Sequence, residues 1–168
     1  FAQRGQSDGE DLQPVEQVLA KGPVLDLLLE VAVRRRDEAE VDRIFGEVIK
    51  RFGQLDILVN NAGIYFTKPA LELTGEDWDK VISINLKGQF LCAKRAAKEM
   101  AKNKWGRIIN ISSVASGGVG VGIEGGAHYT ASKGGIIGIT ETLAIEWAPV
   151  GIKVYAIGPG AIDTRMVQ

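Results

Sequence analysis

Leu55-Asp56-Ile57-Leu58-Val59-Asn60-Asn61-Ala62-Gly63 reads as a short buried strand that runs straight into a polar turn. Just ahead of it stands the clearest helix of the chain. Asp37 opens that helix with Glu40 three residues on, a capping-box pair. Val41, Ile44, Phe45, Val48, Ile49 and Phe52 repeat at helical spacing, and Gly53 stops the run. The alternation continues outward in both directions. Residues 24–33 read as an earlier buried strand, behind a short helix over 10–20 closed by Gly22-Pro23, and residues 1–9 as a loose end. Thr74, with Asp77 three residues on, caps a long helix that reaches Ala101. Residues 107–111 form a strand ending in Ser112-Ser113. Six glycines between 117 and 126 predict a mobile loop. A helix bearing Tyr129 and Lys133 then runs to Trp147, before Pro149, and 152–157 is the last strand, ending at Gly158-Pro159-Gly160. Strands alternating with helices predict an α/β fold, its mostly parallel sheet covered on both faces. Ligands bind such sheets beyond the carboxyl ends of the strands. With no internal repeat, residues 1–168 are expected to form a single domain.

Composition narrows the function. Of 168 residues 24% are charged and the net charge is −1, so no basic field invites nucleic acid or an anionic membrane. Arg34-Arg35-Arg36 is too short a run to change that and reads as a solvated segment. The single cysteine, Cys92, cannot form an internal disulfide and reads as a small core residue, which fits a reducing, cytoplasmic setting. No apolar run approaches the roughly 20 residues that span a bilayer, and no signal peptide is visible. One His and one Cys leave little material for zinc, so no metal is expected.

The chemistry concentrates at Tyr129-Thr130-Ala131-Ser132-Lys133. A Tyr and a Lys at i and i+4 share one helical face. A nearby ammonium favours phenolate, and a phenol tuned that way can exchange a proton with a substrate oxygen near neutral pH. Asn85 stands mid-helix among apolar residues, where Asn is a poor helix former; a functional role or a satisfied buried amide accounts for it. His128 adjoins Tyr129 but faces another side of the helix, so it reads as lining rather than as a base. Gly120-Val121-Gly122-Ile123-Glu124-Gly125 formally matches a dinucleotide fingerprint. It follows no strand directly and has no acid at the end of a second strand, so it is read as a flexible loop. A serine hydrolase is excluded, because no G-x-S-x-G elbow is present.

Asn60-Asn61-Ala62-Gly63, Asn85, Ser113, Tyr129-x-x-x-Lys133 and Pro159-Gly160 occur in an order and spacing that resemble the short-chain dehydrogenase/reductase family. The resemblance covers 37–168, and more faintly 10–36. It implies a Rossmann-like doubly wound parallel sheet and an oxidoreductase that moves a hydride between NAD or NADP and a small-molecule carbonyl/alcohol substrate. By resemblance Tyr129 is the general acid/base, Lys133 binds the nicotinamide ribose, and Ser113 orients the substrate carbonyl. Asn85 holds the backbone and a water linking Lys133 to solvent. Asn60, Ala62 and Gly63 carry cofactor contacts and brace the sheet, while Pro159, Gly160, Ile162 and Thr164 wrap the nicotinamide end. Ser112 and Ser116 are alternatives to Ser113: Ser116 lies 13 residues before Tyr129, a common family gap, and Ser113 lies 16 before it. A three-residue insertion in the glycine-rich loop reconciles Ser113 with that gap. The family also implies a homo-oligomer, dimer or tetramer, built on the long helices.

The departures are as informative. The T-G-x-x-x-G-x-G turn is missing: the glycines before Gly53 are Gly5, Gly9, Gly22 and Gly46, at other spacings. Tyr155 replaces the usual Asn of the last strand. The chain is therefore expected to be a truncated sheet, lacking the first strand-helix-strand and the C-terminal substrate segment. Its strand at 55–60 then either pairs with that at 24–33 or presents an open edge. The alternative function is a non-catalytic remnant that binds no cofactor. A sugar-nucleotide epimerase would share Tyr-x-x-x-Lys, but the Asn-Asn-Ala-Gly turn resembles the plain dehydrogenases. Oxoacyl thioesters, sugars, polyols and steroids all remain open as substrates, with Glu146-Trp147-Ala148-Pro149 resembling some sugar-acid and oxoacyl reductases.

Overall fold

A computed structural model describes residues 38–118 and 120–162, together with the backbone of two short strands at 18–19 and 28–30. Five strands, β1 (Val18–Leu19), β2 (Leu28–Glu30), β3 (Ile57–Asn60), β4 (Gly106–Ile111) and β5 (Ile152–Ile157), form one sheet in the order β1-β2-β3-β4-β5. β2 to β5 are parallel, with Leu28 beside Ile57, Leu58 beside Ile108 and Ile108 beside Val154. Helix α1 (Glu38–Phe52) joins β2 to β3, α2 (Gly75–Ile82) and α3 (Gly88–Met100) join β3 to β4, and α4 (Ala127–Trp147) joins β4 to β5. The strand at 55–60 therefore takes the first of its two expected fates and pairs with β2.

Strand order rises by one at every crossover. Right-handed crossovers that all move one way lay their helices on one face. The core agrees: Val41, Phe45 and Val48 of α1, Ala93, Ala96 and Met100 of α3, and Leu143 of α4 join Leu58, Ile108, Ile152 and Val154 in one buried cluster. The alternate residues Ile57, Val59 and Ile109 are half-buried, and Tyr155 and Ile157 are exposed. The described residues thus make one winding of a doubly wound sheet. Among the described residues the cover expected on both faces is met on one, because a helix on the second face needs a crossover in the opposite direction.

Local sequence explains most element ends. Gly53 takes φ 82° and its N–H returns to the Ile49 carbonyl, closing α1. Thr74 and Asp77 form the reciprocal capping box of α2. Gly151, at φ 80°, passes so close to Lys104 that an added Cβ would lie 1.9 Å from its carbonyl oxygen. Two expectations are corrected. Val18 and Leu19 are paired antiparallel to β2 and do not end a helix. A helix that short is marginal by itself, whereas an open strand edge supplies ready backbone partners. The long helix from Thr74 is also interrupted: Ser83–Lys87 is a π turn, and the Gly88 N–H reaches back to the Ser83 carbonyl. The remaining expectations for 1–17, 20–27 and 31–37, including the Asp37 cap, lie outside the described residues.

Candidate active site

The carboxyl ends of β3 and β4 are joined by buried amides. Asn60 and Asn110 are neighbours in register. Asn60 Nδ2 donates to Asn110 Oδ1 at 2.8 Å and to the Gln89 carbonyl of α3 at 3.2 Å. Asn110 Nδ2 donates to Thr140 Oγ1 at 3.0 Å, and that hydroxyl donates to the Ile136 carbonyl of α4. One polar chain therefore sets α3, β3, β4 and α4 against each other. Its members are buried, so each lost partner would leave a desolvated group unpaired. Asn60 is committed to this brace.

Asn85 sits at the centre of the π turn, fully buried. Its Oδ1 accepts from the Ile64 N–H at 2.8 Å, and its Nδ2 donates to the Ile64 carbonyl at 2.9 Å and to Ser132 Oγ at 3.2 Å. The amide thus replaces the strand partner that the chain loses at Ile64, just beyond β3. Ser132 Oγ donates to the Tyr129 carbonyl one turn back. Gly63 lets these groups converge: a Cβ there would lie 3.3 Å from Asn85 Oδ1 and 3.7 Å from Lys133 Nζ.

Regular helical spacing in α4 brings Tyr129 and Lys133 onto one face, and both are buried. Lys133 Nζ lies 5.6 Å from the centre of the Tyr129 ring and donates to the Ile111 carbonyl, the last of β4, at 2.8 Å. Burial lowers its pKa to about 8, so the amine stays mostly charged at neutral pH. An ammonium has three donors. Among the described residues Ile111 is its one hydrogen-bond acceptor, which leaves capacity for ligand hydroxyls. The main chain of Lys133 is fixed too, since its carbonyl accepts from Ser112 Oγ at 2.8 Å.

That bond separates the three serines. Ser112 is buried and spent on α4. Ser116 is buried, its carbonyl only 2.6 Å from where a Cβ on Gly134 would stand. Ser113 is half-buried, its Oγ accepting from the Ala115 N–H at 3.1 Å, and it makes no hydrogen bond to Tyr129. The β5 end lies beside it: the Val114 N–H donates to the Pro159 carbonyl at 3.0 Å. Ala62, Gly63 and Pro159 are half-buried, Gly160 and Ile162 are exposed, and Thr164 lies outside the described residues. The glycine-rich segment is separated from β4 by Ser112 onward, and the Gly125 carbonyl accepts from the Lys68 N–H.

His128 is fully buried; burial lowers its pKa against the opposing pull of the Asp77 carboxylate and the Gly126 backbone. It packs edge-on to Phe66. Sequence reasoning passed over Asn110, although an Asn inside an isoleucine-rich strand is itself a signal, since strands are depleted in Asn. Gln89 and Thr140 carried none. Among the described residues no group of three His, Cys, Asp or Glu could hold a metal, and no helix is long and apolar enough to cross a membrane.

A family model described as short chain dehydrogenase matches residues 8–168. The chain is similar to a 3-oxoacyl-[acyl-carrier-protein] reductase of Synechocystis: 46% identity over 129 residues, 77% of this chain and 51% of that protein. Among solved structures it is similar to ElxO with NADP bound, with 39% identity and TM-score 0.74 over 79% of this chain and 53% of that one. It is also similar to a 3-ketoacyl-(acyl-carrier-protein) reductase from Brucella melitensis complexed with NADH, with 32% identity and TM-score 0.73 over 79% and 55% of the two chains. The chain spans about half the length of these proteins. A match across nearly every residue, on a sheet whose strand ends carry the family's motifs, means that the chain belongs to the short chain dehydrogenase family.

Proposed function

We propose that the chain is the catalytic part of an oxidoreductase that interconverts a carbonyl and an alcohol with NAD or NADP, Tyr129 acting as general acid/base. The observation that carries this reading is the Lys133 ammonium, held by the end of β4 5.6 Å from the centre of the Tyr129 ring. A buried cation so placed can hold the nicotinamide ribose beside the phenol, which passes a proton to or from the substrate oxygen. Ser113, itself only half-buried, would donate to the substrate oxygen as charge builds there. Asn85 would keep Ile64 and the Tyr129 turn in place through Ser132.

The residues fit the nicotinamide end of such a cofactor. Lys133 has donors to spare for ribose hydroxyls, and Gly63 leaves the approach open where a Cβ would crowd Asn85. Ala62, Pro159, Gly160, Ile162 and Thr164 would line the same end, with Asn60 bracing from beneath. The phosphate end has no glycine-rich turn in this sequence. When bound, the nicotinamide supplies or accepts the hydride. The protein's share is to orient the carbonyl, exclude water and hold the proton at the Tyr129 oxygen. Names of relatives make 3-oxoacyl thioesters the first substrates to try. Exposed Trp78, Phe90 and Ile145 on α2, α3 and α4 support a homo-oligomer, and a cytoplasmic location belongs to the same proposal.

Fluorescence titration with NADH and NADPH tests the reading. Saturable binding of one, with turnover of a 3-oxoacyl thioester, is expected. No saturable binding of either overturns it in favour of a non-catalytic remnant.

A further inference from the structure

The residues that follow the Asn-Asn-Ala-Gly turn have no regular structure, yet they are pinned at both ends. Ile64 is held at its N–H and its carbonyl by Asn85, at 2.8 and 2.9 Å. Four residues on, the Lys68 N–H donates to the Gly125 carbonyl at 2.9 Å, and Lys68 Nζ meets Asp77 Oδ2, inside the capping box of α2, at 2.6 Å. The second pin requires glycine at 125. That residue sits at φ 68°, and a Cβ there would lie 3.1 Å from Lys68 N and 3.2 Å from the Thr67 Cβ.

Between the pins, consecutive rings of this segment meet consecutive rings of α4. Tyr65 stands edge-to-face against Tyr129, ring centres 4.9 Å apart and planes at 69°. Phe66 stands the same way against His128, at 4.5 Å and 80°. His128 is fully buried, and the Phe66 ring packs against it there. Edge-to-face pairing fixes the plane of a ring as well as its position.

Taking Tyr129 as the acid/base, we propose that Tyr65 is a positioning residue whose ring sets the orientation of the Tyr129 phenol, with residues 64–68 forming the strap that holds it there. A phenol that must meet a substrate oxygen at hydrogen-bond distance loses much of its rate when displaced by about 1 Å. The contact is made by the ring of Tyr65, so its hydroxyl is dispensable.

Because the chain has three tyrosines, Tyr65, Tyr129 and Tyr155, 3-fluorotyrosine labelling gives three fluorine resonances, assignable from single Tyr→Phe variants. Kinetics are run on unlabelled protein. Tyr65→Leu is expected to move the Tyr129 resonance and to lower kcat about tenfold or more, with KM within about twofold. Tyr65→Phe restores kcat. Lys68→Met removes the ion pair of the far pin, keeps its backbone bond and touches neither ring; it moves the same resonance by less and decides the matter if Tyr65→Leu fails to fold. An unmoved Tyr129 resonance overturns the proposal. So does a rise in KM alone, which marks a substrate contact, or a Tyr65→Phe variant as slow as Tyr65→Leu. If the unsubstituted protein shows no turnover, the acid/base reading falls, and the fluorine measurement still decides whether Tyr65 orients Tyr129.

Discussion

Two halves of this molecule lie under the same helices and are built by opposite rules. Toward the amino ends of the strands, Phe45, Met100, Ile108 and Ile152 are almost completely buried, and every side chain is apolar. Toward the carboxyl ends, Asn60, Asn85, Asn110, Ser112, Ser132 and Lys133 are buried just as deeply, and every one is polar. The first half is held by shape and by area removed from water, a smooth function of atoms deleted. The second is held by completed hydrogen bonds, where losing one member strands its partners.

Substitutions on either side can break this contrast. The largest expected effect is on rate: Tyr129→Phe lowers turnover about a thousandfold while NADH or NADPH affinity stays within about twofold, measured by initial rates and fluorescence titration. Retained turnover removes Tyr129 from the chemistry and with it the purpose of the polar half. Next comes the apolar half, where Phe45→Ala costs about 3–5 kcal/mol in urea unfolding with an unchanged denaturant slope. Asn85→Leu deletes no volume, yet it loses about 2–3 kcal/mol for a different reason, because both polar groups of Ile64 are left unpaired. If Asn85→Leu were neutral, the polar half would be decoration rather than support.

The smallest effect sharpens the contrast through pH. The folded pKa of Lys133, about 8, lies below its ordinary 10.5. Between these values the unfolded chain binds more protons, so this residue makes stability rise with pH across that window. Lys133→Met removes that rise, leaving a flatter profile from pH 8 to 10.5 in urea titrations. An unchanged slope would mean that the amine is better solvated than its burial implies.

The apolar half was legible residue by residue, and the polar half as candidate residues without most of their partners. Periodicity marked Val41, Phe45 and Val48 before any fold was known, and Gly53 and the Thr74–Asp77 pair marked where helices end. These signals are local. Tyr129 and Lys133 were legible because one helical turn joins them. The π turn was not: what stabilises it is the bond from Asn85 to Ile64, 21 residues away. The Tyr65–Tyr129 and Asn110–Thr140 pairs likewise join residues that no short window contains. Val18 and Leu19 became a strand because a sheet edge stood open beside them, a fact that belongs to β2 and not to their own sequence.

The double tether on Lys133 has a practical corollary. An amine whose pKa has dropped to about 8 is a better nucleophile at neutral pH than an ordinary lysine, and reagents that acylate or reductively alkylate amines should favour it. Yet it is only 4% exposed and its hydrogen bond points back into the strand end. Labelling followed by mass spectrometry will therefore mark Lys133 slowly in the folded protein and faster whenever the cover over its ammonium opens, turning this residue into a native gauge of how often the site opens.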